Sequence, residues 1–449
     1  MNFASLLFAL CCIAATTHEK QPRQNKPNIV VFLADDLGYG DLSCYGAKDI
    51  QTPRIDKIAA EGVRFTQFYA NGPECTPTRA AFLTGRYQQR IGGLECAIGV
   101  GGVGRYDDAI RLAAQHQLGL PTTEPTISRL LHQAGYATAI IGKWHLGYED
   151  HFSPNQHGFH HAFYCIGGAM DYFHHVEPPP SLLPALRLNT KQIRRKGYFT
   201  DLIAEEALRW LKHTSKPFFL YVPFTAPHSP FQAPDENPQQ PLPADSPRWH
   251  GTAPPPIYAA MIEQMDKAVG RILDTLPDPA NTLVIFTSDN GGTRSARPCG
   301  LRDIKGTTFE GGIRVPCIVR WPGVLPSGTE NATPAATFDL TASIARIAGV
   351  KPPRPWDGVD ILRYIERGEP PPPRTLFWRQ RRGDRTWRAA RDGPLKLVTH
   401  TRGEHTEEFL FDLDRDPGEQ TNLLTKHPSR ATHLKQLLTA WEQEVKPVR

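Results

Sequence analysis

The sequence predicts an α/β protein: a large mixed, mostly parallel sheet flanked by helices, followed by a smaller antiparallel sheet with one packed helix. Three observations carry this. Residues 27–34, 217–224 and 282–288 are continuous apolar runs rich in Val, Ile, Leu and Phe, as expected of strands covered on both faces. Amphipathic helical stretches lie between them, the arrangement of strand–helix–strand units. Beyond proline-rich links at Pro352-Pro353 and residues 370–373, the pattern changes to short strands at close spacing and ends in one helix. A large domain over residues 27–350 and a smaller one over 351–449 follow, which suits a chain of 449 residues at about 100–200 residues per domain.

In chain order, residues 27–34 form the first buried strand and end in Asp35-Asp36. Residues 52–62 read as a helix, with Pro53 near its start, apolar spacings of three and four, and Gly62 as its stop. Residues 63–70 alternate like a strand and deliver the chain to Cys75, where Cys-Thr-Pro-Thr-Arg forms a short rigid loop opening an apolar helix. Residues 126–134 read as a helix closed by Gly135, and 136–141 as the strand leading into Gly-Lys-Trp-His-Leu-Gly. Residues 151–200 are rich in His, Gly and Pro without a zinc-ligand spacing, and form pocket wall. A helix over 198–212, a strand over 217–224 and the segment Ala226-Pro227-His228 come next. The proline-rich stretch 227–256 is too long for an idle loop and reads as a lid or rim. Residues 257–276 form an amphipathic helix, 282–288 a strand, and 338–349 the last helix of the large domain. In the small domain, strand-like pieces at 375–378, 386–391, 395–399 and 408–413 precede a helix at 431–445.

Composition narrows the class. With 40% hydrophobic and 22% charged residues the chain is an ordinary water-soluble globular protein. Its net charge of +5 is mild and dispersed, and no nucleic-acid-binding module is present, so no nucleic-acid partner is expected. The apolar run at residues 3–15 is too short to span a bilayer and serves as a signal-peptide core within residues 1–17. Export to the periplasm or the outside follows, with no transmembrane anchor. Of 8 cysteines, Cys11 and Cys12 fall in that leader, and the remaining six are too sparse for a disulfide scaffold.

The chemistry gathers at strand ends, where open α/β sheets bind ligands. Asp35 and Asp36 follow the first strand, and Asp289 and Asn290 follow another. Three carboxylates and an amide carbonyl are hard oxygen donors suited to calcium, with magnesium second, and unsuited to zinc. Lys143 and His145, two apart in an extended segment, point to one side. His228 sits just past another strand end. Asp171 is the candidate substrate contact in the His-rich wall. In the small domain Trp378 and Arg379 open a run that interleaves aromatics with cations through Arg391. It reads either as a platform for an anionic ligand, stacking on Trp and pairing with Arg, or as ordinary hairpin residues.

Cys75-Thr76-Pro77-Thr78-Arg79, continued by Leu83-Thr84-Gly85-Arg86, resembles the signature of type I sulfatases of the alkaline-phosphatase-like superfamily. Gly142 to Gly147, Ala226-Pro227-His228, residues 301–316 around Lys305, and residues 410–419 resemble further blocks of that family, with Asp303-Ile304 a departure. The resemblance, N-acetylgalactosamine-6-sulfatase- and arylsulfatase-like, implies a sulfate ester hydrolase. It implies that a formylglycine-generating enzyme oxidises Cys75 to formylglycine, that Cys75 joins the metal's ligands, and that Arg79, Lys143, His145, His228 and Lys305 are catalytic. Lys143 and Lys305 would grip sulfate, His228 protonate the leaving alcohol and His145 act as base in the release step. Sulfated carbohydrates or aryl sulfates are the implied substrates. The alternatives are a phosphoester or phosphonate hydrolase of the same superfamily, a glycan-binding relative without catalysis, and a thiolate enzyme using unmodified Cys75.

Overall fold

The computed structural model describes residues 26–99, 106–214 and 217–447, so the leader predicted at 1–17 lies outside the described residues. Five strands run parallel at the centre of a ten-stranded sheet, in the order Thr282–Ser288, Asn28–Ala34, Phe218–Pro223, Ala137–Lys143, His161–Cys165. Cys317–Arg320 joins one side antiparallel, followed by Val63–Phe65 and Thr329–Asn331, while Leu186–Leu188 and Lys191–Gln192 extend the other. The sheet is therefore mixed with a parallel core, as the sequence predicts.

The apolar runs are continuous because both faces are covered. Ile29, Val31 and Leu33 pack in one core with the helices Cys75–Thr84, Ile127–Gln133 and Thr337–Ala348. Their neighbours Val30, Phe32 and Ala34 pack in the other with Pro53–Ala60, Phe199–Lys212 and Pro255–Asp274. Thr126 caps the Ile127–Gln133 helix, its hydroxyl accepting from the Arg129 N–H. Past residue 350 a further short helix, Ile361–Arg367, packs on Thr337–Ala348 through Ile361 and Leu362.

One expected strand is divided. Residues 63–70 give Val63–Phe65 in the large sheet and Phe68–Tyr69 paired with Ala335–Ala336. The buried Val63 and Phe65 keep a spacing of two, whereas the next buried residue, Phe68, comes three later, so the pleat cannot continue on one face.

The small sheet is a four-stranded antiparallel meander of Thr375–Arg382, Arg385–Asp392, Leu395–Arg402 and His405–Asp412, packed against the helix Pro428–Glu444. Its other contacts are with the large domain: Trp378, Leu397 and Phe411 share a core with Tyr69, Phe309 and Phe338. No helix among the described residues is long and apolar enough to cross a membrane. All six cysteines from Cys44 to Cys317 are free.

Candidate active site

Cys75 is the first residue of its helix, not of a preceding loop, and Pro77 occupies the first turn, where a missing N–H costs nothing. All ten residues of Cys75–Thr84 are buried, and Gly85 ends the helix in the left-handed region (φ 67°). The first turn of a buried helix favours negative charge, which suits an oxyanion at Cys75.

Four strand ends meet that turn. Backbone bonds from Asp35 N–H to Ala226 and from Asp289 N–H to Ala34 stitch neighbouring ends together. The Cys75 thiol donates to Asp35 Oδ1 at 3.3 Å, and Lys305 Nζ lies 3.6 Å from the sulfur. Lys143 Nζ pairs with Asp35 at 2.5 Å, and Lys305 Nζ with Asp36 at 2.6 Å. Arg79 grips Asp289 Oδ2 through Nε and Nη2 at 2.9 and 2.7 Å and donates to the Lys143 carbonyl. His228 Nε2 stands 3.6 Å from Asp36. The structure thus brings together Asp35, Asp36, Cys75, Arg79, Lys143, His145, His228, Asp289, Asn290 and Lys305.

Burial and these charges set the protonation states. Burial opposes the Asp36 charge, but Lys305, His228 and Lys143 hold its carboxyl below the usual range. Burial and Asp35 push Asp289 up to about 6, against the attraction of Arg79; with both guanidinium bonds in place we take it as ionised at neutral pH. Lys305 stays charged despite burial because Asp36 faces it. The Cys75 thiol is pushed well up by burial, Asp289 and Asp35, so a free thiolate is disfavoured. Burial brings His228 down to about 3 and, with Lys143, also lowers His145, so both rings are neutral at pH 7.

Oxygen donors dominate any cation site here. One donor atom each from Asp35, Asp36, Cys75 and His228 lie within 4.8 Å of one another. Asn290 Oδ1 is buried without a hydrogen-bond partner while its Nδ2 donates to Asp36, so an orphaned carbonyl oxygen adjoins the carboxylates. Asp289 is engaged as well, Oδ2 accepting twice from Arg79 and Oδ1 from the Asp36 N–H, and Oδ1 keeps a further lone pair. The set, with Asp289 included, fits a hard divalent cation.

His145 reaches the site by a route other than strand alternation. The Ala137–Lys143 strand ends at Lys143, and His145 adopts a left-handed backbone (φ 57°). Its Nε2 lies 2.5 Å from the Ile98 carbonyl, and its Nδ1 is buried without a partner. Thr76 Oγ1 donates to the His145 carbonyl and accepts from the Ile98 N–H, tying the nucleophile helix to this loop. Gly168 closes the far side: a Cβ there would stand 2.7 Å from His145 Cε1. Tyr172 Oη donates to the His228 carbonyl. Ile98, Gly168 and Tyr172 escape sequence reasoning because they act through a backbone carbonyl, an absent side chain and a distant hydroxyl.

Three expected substrate contacts are corrected. Asp171 is fully buried, and its carboxylate accepts from Phe173 N–H, His174 N–H, Leu242 N–H and Gln232 Nε2, so it pins two loops together. Trp378 is buried against Tyr69 and donates to the Ala70 carbonyl. Arg379 is held by Glu95 and Glu442. The aromatic–cation interleaving is a hairpin packed on the large domain, and presents no sugar platform.

The comparisons with known proteins agree with this geometry. The sulfatase family profile matches residues 27–350, and that of the N-sulphoglucosamine sulphohydrolase C-terminal region matches 302–445. The chain is 34% identical to N-acetylgalactosamine-6-sulfatase of Sus scrofa over 441 residues, covering 91% of this chain and 78% of that one. It is 33% identical to arylsulfatase A of Bos taurus, covering 89% and 83%. The crystal structure of Ps i-CgsB in complex with k-i-k-neocarrahexaose superposes with a TM-score of 0.80 at 29% identity, covering 94% of each chain. A phosphonate monoester hydrolase of Agrobacterium radiobacter shares the fold, with a TM-score of 0.64 at 21% identity. The chain belongs to the sulfatase family, within the alkaline-phosphatase-like superfamily, and is a sulfuric ester hydrolase.

Proposed function

We propose that this sulfatase is exported, acts on sulfated carbohydrates, and uses Cys75 matured by a formylglycine-generating enzyme together with bound calcium. The observation that carries this is the environment of Cys75: two ammonium groups flank a thiol whose ionisation burial and carboxylates oppose. Such a site receives an anion well but activates an unmodified thiol poorly. When present, the cation supplies Lewis acidity, and formylglycine supplies a geminal diol with one hydroxyl to attack sulfur and another to permit sulfate release. Asp35, Asp36, Asp289, Asn290 and Cys75 are the residues that would hold the ion, with magnesium as the second candidate.

Lys143 and Lys305 hold the sulfate oxygens and offset the charge that grows on them. Arg79 keeps Asp289 ionised and the helix start in register with the Lys143 strand. His228, neutral in the free site, gains affinity for a proton when an anionic sulfate faces it and then donates to the leaving alcohol. His145, also neutral and with a free Nδ1, accepts the proton in the release step.

The test is mass spectrometry of the Cys75 peptide after coexpression with a formylglycine-generating enzyme, with sulfate release measured in parallel. Conversion of Cys75, loss of release in Cys75→Ala, and loss on chelation restored by calcium are the expected results. An unmodified thiol beside a working maturation control, with sulfate release intact, would overturn the formylglycine reading. Faster turnover of aryl phosphate than of aryl sulfate would favour the phosphoester alternative.

A further inference from the structure

A cavity of 760 Å³ is lined in part by the His-rich segment, and none of the mechanism uses it. Its lining includes Phe173, His174, Leu182, Arg194, Arg195 and Lys196, and contains no Asp or Glu. Arg194 and Lys196 form no ion pair or side-chain hydrogen bond with another described residue, and Arg195 reaches Glu206 only at 3.8 Å. Elsewhere the molecule pairs its clustered cations closely: Arg379, Arg381, Arg382 and Arg388 each have a carboxylate within 3.1 Å. Two unpaired cations and a third only loosely paired line this concave surface and make it anion-receiving.

The same cavity carries apolar surface. Leu182 is 39% exposed, and it and Leu183 are two of the three exposed large hydrophobics among the described residues. Phe173, packed on Tyr198, also lines the cavity and belongs to the sequence segment that reaches the catalytic histidines. That segment begins with Gly168 against the His145 ring, continues to Tyr172 bonded to the His228 carbonyl, and enters the cavity lining at Phe173 and His174. Asp171 fixes its bend by bonding both it and the 232–242 loop, whose Asn237 and Gln239 also line the cavity. One short segment, residues 168–174, therefore runs from the catalytic histidines to the cavity lining.

We infer that this cavity is a subsite for a second, anionic sugar residue, so that the substrate is an oligosaccharide carrying a negative group next to the sulfated unit that reacts. Apolar surface takes the sugar ring and the cations of Arg194, Arg195 and Lys196 take its sulfate or carboxylate. This rests on the sulfated-carbohydrate reading above and deepens it.

The test is calorimetric binding to the matured enzyme, so it needs no turnover. The probes are a carrageenan hexasaccharide bearing sulfates, a hyaluronan hexasaccharide bearing only carboxylates, and neutral maltohexaose. Their comparison separates the two anion sources. The variant Arg194→Ala/Arg195→Ala/Lys196→Ala is expected to weaken binding of the favoured anionic probe about 10-fold, and more at low salt, while kcat/KM for 4-nitrophenyl sulfate stays unchanged. Charge-neutral Arg194→Gln/Arg195→Gln serves as a milder second variant should the first fold poorly. Equal binding of anionic and neutral probes, or undiminished anionic binding in the variants, overturns the subsite. Anionic binding that is lost in the variants while the wild type releases no sulfate from any ester upholds the subsite and overturns the catalytic reading instead.

Discussion

Gly168→Ala isolates the contribution of His145 without replacing a titratable group. A Cβ at Gly168 would stand 2.7 Å from His145 Cε1 and 2.9 Å from Nε2. Ordinary carbon contacts lie at about 3.5–4.0 Å, so the ring must recede by roughly 0.8 Å or more. It cannot do so by moving its backbone, since the His145 N–H is bonded to Ile166 and its carbonyl to Thr76. The ring is therefore turned out of its alignment with the Ile98 carbonyl and takes its unpartnered Nδ1 out of place. A displacement near 1 Å is worth about 100-fold in rate, so kcat on an aryl sulfate is expected to fall about 100-fold. KM is expected to fall with kcat and kcat/KM to change little, because a slowed release step follows substrate binding by Lys143 and Lys305, which do not touch Gly168. Rapid mixing reads the step affected: one fast equivalent of alcohol followed by a slow steady state places the loss in sulfate release. The overpacking costs about 1–3 kcal/mol, so a thermal melt verifies that the variant is folded. A kcat within twofold of wild type, or a first turnover slowed as much as the steady state, would refute the role given to His145.

Three further outcomes follow from buried groups at the domain boundary. Lys396→Met leaves Glu310 and Glu419 facing each other without their shared ammonium, which sits 2.7 and 3.0 Å from them with no solvent exposure, so denaturant unfolding is expected to show a loss of about 3–5 kcal/mol; a loss below about 1 kcal/mol would mean that the pair is not coupled to folding. Burial and the Glu310 charge, against the pull of Lys396, raise Glu419 from its ordinary 4.5 to about 7, so the folded chain holds a proton that the unfolded chain releases. Stability from this group is complete below the unfolded value and is lost as pH rises through 7, and Glu419→Gln should flatten melting temperature against pH across that window; an unchanged slope would remove Glu419 as its source. Trp378→Ala is expected to cost about 3–5 kcal/mol of stability and leave KM for sulfated sugars unaltered, whereas a raised KM with an unchanged melt would restore the platform reading.

The parallel core was legible because strands buried on both faces must be apolar at every position, and the catalytic groups because they sit where such runs stop. Asp35, Lys143, His228 and Asp289 each fall within five residues of the end of a central strand. What was illegible depends on contacts that leave no mark near the residue itself. The left-handed backbone at His145 breaks the alternation that would have aimed it, and its partner is a backbone carbonyl 47 positions away. Asp171 looked like a wall residue because nothing local reveals that Leu242 and Gln232, 71 and 61 residues on, supply its donors. The aromatic–cation pattern of residues 378–391 has the composition of a glycan surface, and only the carboxylates at Glu74, Glu95 and Glu442 turn it into an interface.

That interface gives the small sheet a part in catalysis although it supplies no reacting group. Glu74, the residue before Cys75, accepts from Arg382 on one side and from the Ala97 N–H on the other, so the small sheet braces the start of the nucleophile helix. The Lys305 loop is held likewise: Arg302 donates to the Glu419 carbonyl and lies over Phe309, and the Glu310 N–H donates to Glu419 Oε2. Lys396, from the third strand of the small sheet, closes that network from beneath. Within the loop, Lys305 N–H bonds to Gly292 and Gly306 N–H to Pro73, which join it to the Asp289 strand end and to the approach to Cys75. The distance between Lys305 and Cys75 is thus set by two segments that the small sheet grips independently. A sheet in this position must be rigid and fully paired on its inner face, which is why its arginines are satisfied there, while the unpaired cations at Arg194 and Lys196 line a separate cavity.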